Sequence, residues 1–353
     1  MANTSYGVNS PEAVKLWSRK LFHEALKATW ASKFMGSDSN SVLQIIDDTS
    51  KGPGDRVRNT LRMLLSGGGI EGDGTLEGNE EALTTYTDDV VINQLRHAVR
   101  SGGKMSEQRI PFSVREEARL GLQDWWADRI DTAFFNQICG NTNQTDTKYT
   151  GHQAATQPDA SHRVFSGNGA VDTAVDASTT ASALFTLSLL DTAVTTAKLA
   201  NPQVRPLKIN GADKYVCFMH PYQVEQMRTS TDTGQWLDIQ KAAISGGDVS
   251  GNPIFSGALG EYNGVILHES TRVSIGSDAS GTAASGVRRA VFCGAQASSI
   301  AFGRGYGASK MSWVEELFDY RNQLGVSAGM IWGVKKTVFN SADFAAITIS
   351  TAG

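Results

Sequence analysis

The sequence contains few cysteines and no cysteine pattern that indicates a redox or metal function. Its three cysteines, Cys139, Cys217 and Cys293, are odd in number and widely spaced along 353 residues. A disulfide framework or a structural zinc site needs an even set or close pairs, so both are excluded. Cys217 stands in YVCFM and Cys293 in AVFCG, which are short apolar stretches typical of strands. We therefore expect buried thiols that pack like small hydrophobic side chains.

Long apolar runs and a strong charge of either sign are also missing. The longest uncharged apolar stretch, around residues 290–303, is too short and too polar to span a bilayer. The opening segment, MANTSYGVNSPE, has no basic region followed by an apolar one, so no secretory signal is expected. The formal net charge of −4 excludes a general attraction to nucleic acid or to an anionic membrane. We expect no membrane association.

The sequence also shows no recognisable set of catalytic residues, although one motif resembles that of a hydrolase. Residues 325–329 read GVSAG and match G-x-S-x-G, which in many hydrolases presents a nucleophilic serine on a strained strand-to-helix turn. Here the residues alternate through position 334, which indicates a continuous strand. In those hydrolases the histidine follows the serine, whereas the last histidine here is His268. A serine hydrolase using Ser327 is therefore only a distant alternative, and we expect a small residue in a closely packed strand.

No cofactor or metal site is expected either. The acidic Gly-Asp-Gly segment at 72–74 lacks the ligand spacing of a calcium-binding loop. The segment 302–310, FGRGYGASK, lacks the Gly-Lys-Ser/Thr ending of a phosphate-binding loop. His152 and His162 have no cysteine or pair of acids nearby, so we expect both to be exposed to solvent. No catalytic, cofactor-binding or metal-binding residue is predicted.

Two amphipathic helices are the clearest elements that the sequence does contain. The first is predicted over residues 11–36, docked on the core or lying across a neighbouring subunit, with a stripe of Trp17, Leu21, Ala25 and Ala28. The second begins at a capping box of Ser113 and Glu116 and ends at Gly140 and Asn141. Its apolar ridge repeats every fourth residue and comprises Leu122, Trp126, Ile130, Phe134 and Ile138. At 1.5 Å per residue this helix is roughly 40 Å long.

Two polar stretches flank the long helix. Residues 67–112 have little apolar periodicity and predict an extended, exposed loop that meets another chain. Residues 141–183 are rich in Thr, Asn, Asp and Gly and predict a polar surface insertion. From residue 184 helical and strand patterns alternate, which predicts an α/β region with helices at 184–200, after 220 and at 235–245. Its strands are predicted in KYVCFM, NGVILHES, RRAVFCGAQ and SSIAFGR.

Several stretches together carry a family resemblance. They are GDRVRNTLRMLLSGGGIEGDGTLEGNEEAL, VVINQLRHAV, KYVCFMHPYQVEQMR, EYNGVILHES, RRAVFCGAQA and FDYRNQLGVSAGMIWGVKK. In content and order they resemble the major capsid proteins of tailed phages with the fold named after phage HK97, and more narrowly the family first described from the N4 podophage. The resemblance implies an α+β, HK97-like fold with an N-terminal arm, an extended loop (E-loop), a spine helix, and peripheral and axial domains.

The resemblance also implies how the chain is divided. The expected parts are an N-terminal arm with the start of the peripheral domain (1–66), the extended loop (67–112), the spine helix of the peripheral domain (113–140), the polar surface insertion (141–183), the axial domain (184–310) and the closing strands of the peripheral domain (311–353).

The function that the resemblance implies is that of a major capsid protein. It would assemble as pentamers and hexamers into an icosahedral shell around double-stranded phage DNA, which it would contact weakly and without specificity. Further implied partners are a portal, a possible decoration protein and a separate scaffolding protein, because no long scaffold segment precedes the arm. It would be assembled in the host bacterial cytoplasm and reside in the virion. The nearest alternative is the shell protein of a cellular nanocompartment with the same fold.

Candidate subunit-contact residues come from the predicted loop and the N-terminal helix. The loop contains one lysine, and a single lysine does not predict a covalent crosslink between subunits. Deleting residues 70–100 is expected to leave a folded subunit and to abolish closed shells. The candidates are Gly68, Glu71, Asp73, Glu77, Glu80, Arg96, Lys104, Trp17 and Arg19.

Overall fold

The computed structural model describes residues 21, 24–25, 29–46, 54–167, 169–176, 183–209, 211–230, 260–278, 281–304 and 310–353. Within these ranges the α-helices, α1 to α5, span Lys104–Gln108, Val114–Ile138, Asp172–Asp176, Leu187–Leu199 and Pro221–Thr229. Short 3-10 turns span Trp30–Phe34, Thr147–Tyr149 and Ala160–His162.

The same ranges contain strands β1 to β18. In chain order they span Met35–Gly36, Leu43–Ile46, Arg56–Arg62, Thr85–Val91, Asn93–Arg100, Arg163–Phe165, Leu207–Ile209, Ala212–Met219, Gly260–Tyr262, Val265–Glu269, Ile275–Ser277, Ala283–Cys293, Ser298–Phe302, Met311–Phe318, Gln323–Lys336, Val338–Phe339, Ala342–Asp343 and Ala346–Ala352.

Two large sheets organise these strands. A six-stranded sheet has the order β1-β2-β13-β15-β14, and β5 also pairs with β15. An eight-stranded sheet has the order β6-β18-β12-β8-β10-β9, with β11 on β12 and β7 on β8. Two hairpins, β3–β4 and β16–β17, lie outside these sheets. Helices beside mainly antiparallel sheets make the fold α+β, as expected.

Helix α2 packs its apolar ridge into the core, and this prediction is confirmed. The five ridge residues are between 0% and 3% exposed, and burying each such side chain stabilises the fold by about 1.5–3 kcal/mol. At the C-terminal end Gly140 adopts φ of 65°. The N–H groups of Gly140 and Asn141 bond to the carbonyls of Gln137 and Asn136 at 3.1 and 2.9 Å. The helix thus ends in a Schellman motif, where glycine avoids the steric cost of a left-handed residue.

The predicted capping box at the other end of α2 is wrong. Ser113 does occupy the N-cap position, but its side chain makes no capping hydrogen bond. The Glu116 carboxylate accepts instead from Nε of Arg119 at 3.3 Å. An ion pair one turn further along the helix therefore replaces the reciprocal bond that the Ser-x-x-Glu pattern predicts.

Strand β15 runs through the G-x-S-x-G motif without a turn. Its residues Val326, Ala328, Met330, Trp332 and Val334 are at most 2% exposed. This face packs on α2, where the Trp126 and Trp332 ring centroids lie 6.3 Å apart. Ser327 lies on the opposite face, and its hydroxyl donates to the Val314 carbonyl at 3.4 Å. The strand prediction is confirmed, and the motif lacks the strand-to-helix elbow of a hydrolase.

The N-terminal helix ends earlier than the sequence predicts. Leu21, Glu24 and Ala25 are helical, and Leu21 and Ala25 are buried. From residue 30 the chain forms a 3-10 turn and then β1, so a helix reaching Gly36 is wrong. The Asp131 carboxylate of α2 accepts the N–H groups of Trp30 and Ala31 at 2.8 and 2.9 Å. These bonds hold the backbone outside the α-helical pattern.

The segment 141–183, expected as a polar surface insertion, contributes to the interior. Its strand β6 pairs in parallel with the C-terminal strand β18. Asp172 is only 3% exposed and accepts from Nε of Arg289, itself 1% exposed, at 2.7 Å. The side chain of Gln157 accepts from the same guanidinium at 2.8 Å. The low apolar content of this segment predicted a surface position. Its polar side chains are instead buried, and hydrogen bonds satisfy them.

The two histidines of that segment are not solvated, so this prediction is wrong. His162 is 3% exposed, and its Nδ1 lies 3.1 Å from Asp159. The His152 ring is half-buried, with its centroid 5.7 Å from that of Trp332. Burial lowers the pKa of His152 because the charged imidazolium loses its hydration.

Three strands join sheets that the division of the chain into domains does not predict for them. Strand β5, expected within the extended loop, pairs with β15 in the six-stranded sheet. Strand β13, expected in the axial region, pairs with β15 and β2 in that sheet. Strand β18, expected among the closing strands of the other domain, pairs with β12 in the eight-stranded sheet. Strands that pair can be far apart in the sequence, so the order of the strands did not predict which sheet each of these three joins.

Other helices and strands predicted from local sequence patterns are confirmed. Helices α4 and α5 and strands β8, β10, β12 and β13 lie where their patterns predict them. The three cysteines are free and buried, and burial raises the pKa of each thiol. The helix expected at 235–245 falls outside the described residues.

Candidate subunit-contact surface

A β-hairpin, here called the arm, consists of β3 and β4. Its register runs from Arg56 opposite Val91 to Arg62 opposite Thr85. On one face of the arm Val57 and Val90 are buried in a small apolar cluster with Ile92 and Ala301. This cluster attaches the base of the arm to the six-stranded sheet, while Leu61 and Tyr86 near the other end of the arm pack against the main hydrophobic core.

Residues 63–84, here called the tip loop, join the two strands of the arm. The Met63 N–H closes the ladder by bonding to the Thr84 carbonyl at 3.0 Å. The Glu81 carboxylate accepts the N–H groups of Ser66 and Gly67 at 2.8 and 2.6 Å. These bonds to the charged form hold the pKa of Glu81 below its usual range. The base of the tip loop is therefore tied together, while the loop itself contains no helix or strand.

The tip loop exposes large apolar side chains. Exposed fractions are 91% for Leu64, 63% for Leu65, 62% for Leu76 and 60% for Leu83. A single exposed leucine is ordinary on a protein surface, but four on one short loop are typical of an interaction site. These leucines were not among the residues predicted from the sequence. Their signal was their presence in a segment made mostly of glycine, acids and small polar residues.

The predicted acidic contact residues lie on the same loop. Glu71, Asp73, Glu77 and Glu80 are exposed, as is Gly68. With Glu81 the tip loop has five acidic residues and no lysine or arginine. Five of the nine candidates therefore lie on one exposed loop, whose surface is both acidic and apolar. Their contact with another subunit stays a prediction.

The other candidates lie elsewhere. Arg96 is on β5, where its side chain crosses Gly329, and a Cβ added to that glycine would lie 2.7 Å from Cγ of Arg96. Lys104 opens α1, and its ammonium lies 3.0 Å from the Glu107 carboxylate. Trp17 and Arg19 fall outside the described residues. The nine candidates thus do not form one continuous site among the residues that can be placed.

The described residues also bear on metal binding, membrane insertion and the roles of histidine. Among the described residues, no group of three or more His, Cys, Asp or Glu side chains could hold a metal ion. No described helix has both the length and the apolar character to cross a bilayer. His220 caps α5, where its ring accepts the Tyr222 N–H at 3.3 Å, which is a structural role.

Comparison with known proteins gives one consistent family. Residues 4–353 match the model of the family described as phage capsid protein. The major capsid protein of Pseudomonas phage KPP25 is 28% identical over 378 residues, covering 99% of this chain and 97% of that protein. The capsid of Ralstonia phage GP4 is 34% identical with a TM-score of 0.76, covering 100% of this chain and 98% of that chain. The capsid of cyanophage Pam1 is 19% identical with a TM-score of 0.73, covering 100% and 94%, and supports the fold alone.

The chain therefore belongs to the phage capsid protein family. Its fold is the HK97-like capsid fold, and its function is that of a phage major capsid protein, a structural component of the virion. The nanocompartment and serine-hydrolase alternatives receive no support, because the proteins it matches here are phage capsid proteins. The narrower similarity to the N4 podophage family stays a prediction.

Proposed function

We propose that this chain assembles as pentamers and hexamers into an icosahedral shell around double-stranded DNA, with the tip loop contacting a neighbouring copy. The observation that carries the proposal is the tip loop, which holds four leucines at least 60% exposed together with five acids. Burying each leucine in a contact would contribute about 1.5–3 kcal/mol. Closed symmetry repeats such a contact many times, so modest individual interfaces suffice to stabilise a shell.

The parts of the fold have roles under this proposal. The arm and tip loop act as the extended loop, and α2 acts as the spine helix. The eight-stranded sheet supplies the axial contacts, although its β18 comes from the closing segment. The six-stranded sheet supplies the peripheral domain and includes β5 and β13. Under this proposal the domain boundaries are defined by the sheet that each strand joins and no longer by the order of the segments in the sequence.

The proposed partners follow from the shell function and the charge. A net charge of −4 favours only weak, non-specific contact with packaged DNA, since tight binding to phosphates requires many basic contacts. Assembly in the host bacterial cytoplasm, with a scaffolding protein, a portal and a decoration protein, is part of the same proposal. Each of these partners would bind the shell rather than a pocket in a single subunit.

Replacing the tip loop tests the proposal. Residues 64–83 would be replaced by Asn-Gly, which forms the two-residue turn that suits a hairpin closing between Met63 and Thr84. We expect the intact chain, co-expressed with its scaffolding protein, to sediment as shells. The shortened chain should remain folded by circular dichroism and sediment as small species.

The matched control removes an exposed leucine outside the arm. Leu199, at the end of α4, is 80% exposed, and the variant Leu199→Ser should still form shells. Normal shells from the chain with the replaced tip loop would contradict the proposed role of that loop. Small species from the intact chain under every condition would contradict the shell function itself.

A further inference from the structure

The G-x-S-x-G segment forms the floor of a trough on the sheet face opposite α2. Gly325, Ser327 and Gly329 alternate along β15 with the residues buried against α2. Ser327 is directly opposite Ala98 of β5 on one side and Val314 of β14 on the other. Residues opposite each other in neighbouring strands present side chains on the same face. The three small residues therefore lie in a row between two flanking rows, which are Arg96, Ala98 and Arg100 of β5 and Ser312, Val314 and Glu316 of β14.

The two glycines are required by side chains that close the ends of the trough. A Cβ on Gly325 would lie 2.6 Å from the Phe318 ring. The Arg100 guanidinium covers that ring at 4.3 Å from its centroid. At the other end, the Arg96 side chain crosses Gly329. Between these ends Ser327 leaves the floor open.

The open part of the trough is a small apolar cavity. Its volume is about 260 Å³, and Val314, which is 49% exposed, forms one wall. Pockets for drug-sized ligands and cofactors measure roughly 300–1,000 Å³, so this volume suits an amino-acid side chain better. The lining residues are Ala98, Val99, Arg100, Val314, Glu316, Phe318, Gly325, Val326 and Ser327.

The charge around the trough complements the tip loop. On the β5 side, residues 93–100 include two arginines and no acid, and the carboxylate among the lining residues is Glu316 on β14. The tip loop has five acids and no base. Its leucines remain at least 60% exposed in their own subunit, so their own trough does not bury them. A loop that is both acidic and leucine-bearing fits an apolar socket with a cationic rim.

We infer that this trough is the socket in which a second copy of the chain inserts a leucine of its tip loop. The inference rests on the proposed function and deepens it by naming the receiving surface. It also gives the G-x-S-x-G motif a structural purpose, because small residues at alternate positions are what leaves a sheet face hollow. The carboxylates beside the inserted leucine would face Arg96 and Arg100.

Disulfide trapping tests the inference in the assembled full-length chain. A chain with Ser327→Cys would be co-assembled with a chain carrying Leu64→Cys, Leu65→Cys, Leu76→Cys or Leu83→Cys. The three native thiols are buried, so they should not compete. A disulfide forms only where the Cα atoms approach to about 4.4–6.8 Å. We expect a disulfide-linked dimer from at least one leucine position under mild oxidation, and none with Leu199→Cys.

The possible results distinguish failure of the proposed socket from failure of the proposed shell function. Normal shells in which no tip-loop position crosslinks above the Leu199→Cys control would overturn the socket and leave the proposed function standing. Failure of the unsubstituted chain to form shells would overturn both. A second variant, Ser327→Trp, fills the cavity from an exposed face and should lower shell yield at least tenfold while the subunit stays folded. Unchanged yield would also count against the socket.

Discussion

At the residue scale, Arg289 shows how a buried charge can join distant parts of the chain. Its guanidinium donates to Asp172 at 2.7 Å and to the carbonyls of Cys139 and Gly140 at 3.1 and 2.9 Å. Burial lowers the pKa of Arg289, while the attraction of Asp172 opposes that shift. The arginine thereby links the end of α2, the segment 141–183 and strand β12. A buried ion pair of this kind stabilises the fold only while both partners are present.

Removing that arginine should therefore destabilise the subunit strongly. In Arg289→Met the Asp172 carboxylate stays buried without its partner, which costs about 3–5 kcal/mol. Denaturant unfolding of the subunit measures the change. The matched control is Arg58→Met, because Arg58 is 66% exposed and pairs with Asp89 on the arm surface. The control midpoint should stay near that of the unsubstituted chain, and equal midpoints for both variants would refute the argument.

At the element scale, local patterns predicted helices and strands but not their partners. The ridge of α2 and the alternation in β15 were recognisable because one face of each is buried almost completely. Strand β5 was missed because most of its residues are exposed or half-buried, so it shows no clear apolar alternation. The acids of the tip loop were identified as contact candidates. The trough could not be found from sequence, since it depends on the pairing of β15 with β5, which is distant from it along the chain.

The pairing of β5 changes what a long deletion should do. Removing residues 70–100 takes away β4 and β5, so β15 loses its pairing with β5 along residues 325–332 and keeps its pairing with β14. The earlier expectation of a folded subunit therefore no longer holds, and we predict loss of cooperative thermal unfolding. Replacing only residues 64–83 keeps both strands and should preserve the unfolding transition. Cooperative unfolding at the original temperature after the long deletion would show that β5 is dispensable.

At the scale of the whole molecule, the described residues form a large hydrophobic core and an exposed, acidic tip loop. The core contains residues from both sheets, α2 and α4, and it includes no residue of the tip loop, so the subunit does not depend on the tip loop for its core. The tip loop instead exposes four leucines that the core does not bury. This division suits a protein that folds first and assembles afterwards through weak, repeated contacts.

Cryo-electron microscopy of the assembled chain tests the central claim most directly. The chain would be expressed with its scaffolding protein, and the largest sedimenting fraction would be imaged. We predict closed icosahedral particles built of pentamers and hexamers, in which density for residues 63–84 crosses onto a neighbouring subunit and ends over Ser327. A uniform small monomer under every condition would contradict the shell function, and closed shells with a solvent-exposed tip loop would contradict the contact assigned to it.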